Sequence, residues 1–104
     1  MKLRYFLDWG GDILWAGDDD ANIKYGYPAN MDLLPISENS RGLIEKLFFL
    51  WISIAQGVNS KKEIENFNSL NEEVFSRLMH ELQSIEILNE MPNISSQPTA
   101  YGGG

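Results

Sequence analysis

The residues of this 104-residue chain with the most chemical capacity are its carboxylates and its aromatic rings. Asp8, Asp12, Asp18, Asp19 and Asp20 lie close in sequence, and oxygen ligands at short range are what calcium and magnesium bind. An EF-hand loop needs alternating ligands, a central glycine and a glutamate at its twelfth position; counted from Asp18, that position is Ala29. The cluster therefore reads as a helix cap with a solvated negative patch, and no metal site is expected. The lone histidine, His80, lies between Met79 and Glu81, and no G-x-S-x-G elbow exists to supply a nucleophile. It reads as a surface or half-buried helix residue. Without cysteine there is no thiolate and no sulfur-ligated zinc. Gly10-Gly11 lacks the spacing of a phosphate cradle, and the fifteen carboxylates show no pattern that would pair two of them for acid–base work. The expectation is a non-enzyme with no catalytic residue and no cofactor.

The aromatic residues carry more information. Tyr5, Phe6, Trp9, Trp15, Tyr25 and Tyr27 are interleaved with the aspartates in the first 27 residues. Large rings fill small cores, but tryptophan and tyrosine beside acids also make a surface for a basic protein, the rings anchoring and the acids speeding encounter. Trp9, next to a turn, and Tyr27, in a loop, are the rings expected at the surface. With Asp8, Asp12, Asp18, Asp19 and Asp20 they form the candidate partner-binding set. The last residues, Ala100-Tyr101-Gly102-Gly103-Gly104, offer a second candidate, because an exposed Tyr101-Gly102 terminus is a shape another enzyme can capture. Ala-Tyr-Gly also resembles the tyrosine-glycine motif cut out by radical-SAM peptide spliceases; the plainer reading is an unstructured end.

These residues need a scaffold, and the length allows one small domain with one core. Hydrophobic residues are 43% and charged residues 22%, a globular mixture, with 8 Lys+Arg against 15 Asp+Glu for a net charge of −7. Such a field repels a phosphate backbone, so nucleic acid is not an expected partner. The longest uncharged apolar run, Leu47 to Ala55, falls well short of the ~20 residues a membrane span needs. Asp8 and Asp12 interrupt any apolar signal segment, so a soluble cytoplasmic protein without membrane contact is expected.

The alternation of Lys2 to Asp8, the Gly10-Gly11 pair and the return through Asp12 to Ala16 predict a hairpin over 2–16. A turn centred on Gly10-Gly11 would pair Trp9 with Asp12, Leu7 with Leu14, Phe6 with Trp15 and Tyr5 with Ala16. Residues 17–36 read as loop, with Asp18 to Asp20 capping a short helix over Ala21 to Tyr25 that Gly26 ends. Ser37 caps a helix over about 38–56 whose apolar residues exceed one stripe, predicting a buried central helix that a homodimer would also relieve. The boxes Ser60-Lys61-Lys62-Glu63 and Ser69-Leu70-Asn71-Glu72 predict two further helices, about 61–67 and 70–90. The fold class is α+β: an N-terminal hairpin on about three helices as one domain over 1–91, with a flexible tail over 92–104. All six aspartates lie at or before Asp32 and all nine glutamates at or after Glu38, which follows the preference of Asp for turns and caps and of Glu for helices.

Residues 4–48 resemble small acidic bacterial immunity-type proteins of toxin loci. Phe6, Asp8, Trp9 and Gly10 of the hairpin, Leu14-Trp15, and Leu34-Pro35 with Ser37 at the start of the next helix carry the likeness. It implies no catalytic residues and a protein partner: a basic toxin or enzyme domain bound through the acidic-aromatic surface. Two further readings stand beside it. The chain is a folded carrier whose Tyr101-Gly102 tail is modified by a partner enzyme, or it is an accessory subunit of such an enzyme.

Overall fold

A computed structural model describes residues 1–57 and 60–91. In chain order the elements are β1 (Lys2–Tyr5), β2 (Leu14–Ala16), α1 (Asp19–Tyr25), a 3-10 turn (Met31–Leu33), α2 (Glu38–Ala55), α3 (Lys61–Glu81) and β3 (Glu86–Asn89). The strands form one sheet in the order β2-β1-β3, with β1 antiparallel to β2 and parallel to β3. The architecture is α+β, an N-terminal hairpin packed on three helices. No helix among the described residues is long and apolar enough to cross a membrane.

Alternation along the strands decides the two faces of the sheet. Leu3 and Tyr5 of β1, Leu14 and Ala16 of β2, and Leu7 beyond β1 point inward. They meet Ala21 and Tyr25 of α1, Ile44 and Leu47 of α2, and Phe67, Val74 and Leu78 of α3 in one core. Asp18 caps α1, its carboxylate accepting the Ala21 N–H at 2.9 Å, and Gly26 ends that helix at φ +89°. Ser37 caps α2 through the Ser40 N–H, as its spacing predicts.

Three expectations are corrected. The hairpin turn is centred one residue earlier, on Trp9-Gly10, so the register is Leu3 with Ala16, Arg4 with Trp15 and Tyr5 with Leu14. Asp8 causes the shift: its carbonyl accepts the Gly11 N–H at 3.1 Å and its Oδ1 accepts the Gly10 N–H at 3.0 Å. Asp at the first and Gly at the fourth position is the residue pattern of the commonest β-turn, and Gly11, at φ +86°, takes a conformation a side chain would strain. The slip of two residues keeps the same side chains together on each face of the hairpin.

The two predicted C-terminal helices are one. Ser60 caps α3, but the Ser69 box lies inside it, because Ile64, Phe67, Asn71, Val74 and Leu78 are buried at a continuous three-four spacing. That stripe buries more if unbroken than a local cap at Ser69 would recover. The helix also stops at Glu81, nine residues before the expected end at 90. Leu82 leaves helical geometry, Ile85 N–H bonds back to Leu82, and Glu86–Asn89 becomes β3. Pairing there satisfies the edge of β1 that would otherwise remain open. The tail expected over 92–104 lies outside the described residues.

Candidate functional site

The turn that Asp8 creates puts Trp9 at the tip of the hairpin, where it is 64% exposed. Its ring lies on Trp51 of α2, with centroids 4.8 Å apart and planes tilted by 53°. Phe48 stacks on Trp51 at 6.4 Å and meets Phe49 at 6.0 Å. Gly11 closes the seam from the hairpin side: a methyl added there would touch the Phe48 ring at 3.5 Å.

This patch qualifies the expectation of a buried central helix. Along α2 only Ser40, Ile44 and Leu47 are buried. Leu43, Phe48, Leu50, Trp51 and Ile54 are partly buried against the core, whereas Phe49 is 60% exposed. A helix can turn only one side to a small core, and consecutive Phe48-Phe49 must send one ring outward. The outcome is an exposed Trp9 on a base of Trp51 and Phe48, with Phe49 exposed on the outward side of α2 against Phe48. Phe49 was not in the candidate set, although an apolar run richer than one stripe was its signal.

Two acids stand beside Trp9 at the turn. A methyl at Gly10 would lie 3.4 Å from an Asp8 oxygen and 3.5 Å from an Asp12 oxygen, so the two carboxylates flank the same turn. Burial, and then the Asp8 charge, hold the Asp12 carboxyl above its ordinary range. Neither forms an ion pair with a described residue. Their charge is thus uncompensated at the edge of an apolar surface.

The other candidates stand elsewhere. Asp18 is the cap of α1 and lies 3.7 Å from the amino terminus of Met1, with Asp19 and Asp20 exposed in the first turn of that helix. This is the opposite end of the hairpin, roughly 20 Å from the Trp9 turn by strand rise. Tyr27 is 53% exposed on the sheet's outer face, its ring 5.1 Å from Trp15, which in turn stacks on Phe6 at 4.9 Å. The set therefore divides into three places, of which only Asp8, Trp9 and Asp12 form one surface. His80 is exposed near the end of α3, and the described residues include no group of three or more potential metal ligands. Tyr101 and Gly102 lie outside the described residues. Comparison with protein-family models, curated proteins and solved structures finds no match.

Proposed function

We propose that this protein works by contact, as an immunity-type inhibitor that binds a basic toxin or enzyme domain. One observation carries the reading: Trp9 stands exposed on Trp51, which stacks on Phe48, beside the carboxylates of Asp8 and Asp12, neither of which forms an ion pair with a described residue. Exposed aromatic anchors on a packed base with charge at the rim are the composition of an interface hot spot. The acid rim selects a cationic partner and disfavours a second acidic one. No chemical step is assigned to any residue.

Trp9→Ala removes the central anchor without opening the core, since Trp9 already faces solvent at the turn. Against a basic protein recovered from the native host, it is expected to weaken binding by about thirtyfold or more, the scale of a hot spot of ~2 kcal/mol. Asp8→Asn with Asp12→Asn is expected to slow association and flatten its salt dependence. Replacing Asp18, Asp19 and Asp20 by Asn is expected to change only the long-range part of the association rate. Surface plasmon resonance at two salt concentrations separates these effects. Unchanged affinity in Trp9→Ala would remove this surface from the function.

A further inference from the structure

We propose that the outer face of the sheet is covered by a second copy of this chain. The apolar residues that the three helices bury lie against the inner face, and no helix covers the outer face; there Trp15 is buried between Tyr27 and Phe6, whereas Lys2, Glu86 and Leu88 are exposed and Arg4 is partly so. Its charge differs from that of the whole molecule. The chain carries −7, whereas this face holds two cations on β1, Lys2 and Arg4, and two carboxylates along β3 and its end, Glu86 and Glu90. Arg4 and Glu90 are paired at 2.7 Å. Lys2 and Glu86 are register partners on adjacent strands, both exposed, and neither forms an ion pair with a described residue. Beside these charges lie Leu88, 36% exposed, and Tyr27 over Trp15.

The arrangement is self-complementary. Cations lie on one strand and carboxylates on its neighbour, so a two-fold axis parallel to the strands and midway between β1 and β3 superposes β1 of each copy on β3 of the other. Lys2 then faces Glu86 twice, as an isologous contact requires, with the sheets at the usual ~10 Å spacing. The Trp9 surface does not allow such pairing, because two copies meeting there would bring both Asp8 and Asp12 carboxylates together. Covering the outer sheet leaves the Trp9 turn and the outward side of α2 free, so this inference does not depend on the inhibitor reading.

The test is sedimentation equilibrium of the full chain, its Lys2→Glu variant, its Glu86→Lys variant, and a 1:1 mixture of the two. The native chain is expected to reach twice its 11.8 kDa mass in the micromolar range. Each variant alone meets like charge at both contacts and is expected to lose at least about tenfold in dimer affinity. The mixture is expected to recover, because both contacts of the mixed pair are again opposite in sign; neither chain can repair itself that way internally. Leu88→Glu, checked for fold by circular dichroism, is a second disruptive variant expected to stay monomeric. A native chain of 11.8 kDa at every concentration up to ~1 mM overturns the proposal, as does a dimer whose affinity none of the substitutions alters.

Discussion

Tyr5 and Asn71 meet in the core, and each is there because of the other. The Tyr5 hydroxyl donates to Asn71 Oδ1 at 2.6 Å, with Tyr5 fully buried and Asn71 only 3% exposed. Burial drives the phenol pKa well upward, so the hydroxyl remains a donor across the physiological range. Tyr5→Phe leaves the Asn71 oxygen buried without that donor and is expected to cost ~1–3 kcal/mol in urea unfolding. Because both polar ends disappear together, Tyr5→Phe with Asn71→Leu is expected to cost less than the two single changes added. This pair also shows what residue-level reading can reach. That Leu3, Tyr5 and Leu7 share one face is legible from alternation, and the exposure of Trp9 from its place beside a turn. That Asn71 belongs in the core was hidden, because in sequence it is the third member of an apparent capping box. Its true role depends on a contact 66 positions away.

The ends of the helices are fixed less by local signals than by what other elements bring to them. Glu81, on the last turn of α3, sends its carboxylate to the start of α2. There it accepts the Ser37 N–H at 2.9 Å, the Ser37 hydroxyl at 2.9 Å and the Ser40 hydroxyl at 2.7 Å. Burial by itself would raise the Glu81 pKa, but the Ser37 N–H, the two hydroxyls and the Arg77 charge together lower it. A carboxyl whose pKa falls on folding stabilises the protein above its unfolded value, and that contribution is lost as pH drops through the folded one. Acid unfolding followed by circular dichroism should therefore show less loss below about pH 4 in Glu81→Gln than in the native chain. At pH 7, Glu81→Ala is expected to cost ~1–3 kcal/mol, since the fully buried Ser40 loses its acceptor. Short-range chemistry made α1 and the start of α2 legible: Asp18 and Ser37 need only their neighbours three positions on. β3 was not legible. Ile85 and Leu88 fit a helical spacing as well as a strand, and the open edge of β1 that draws Glu86–Asn89 out of the helix exists only once the hairpin has formed.

At the scale of the whole molecule, charge acts with opposite signs on stability and on recognition. Fifteen carboxylates face eight basic side chains, and the ion pairs among the described residues are four, all between groups at least a quarter exposed. Such pairs contribute ~0–1 kcal/mol each, so the excess negative charge mainly repels itself in the folded state. Salt shortens the Debye length from ~30 Å at 0.01 M to ~8 Å at 0.15 M, which relieves that repulsion. The melting temperature is therefore expected to rise with sodium chloride over this range, in thermal unfolding followed at 222 nm. Association with a basic partner is attraction of the same charges to an opposite field, so its rate is expected to fall over the same range. A protein whose melting temperature fell with salt would hold net favourable charge pairing in its fold. In that case favourable pairing elsewhere in the fold would outweigh the self-repulsion of the excess carboxylates.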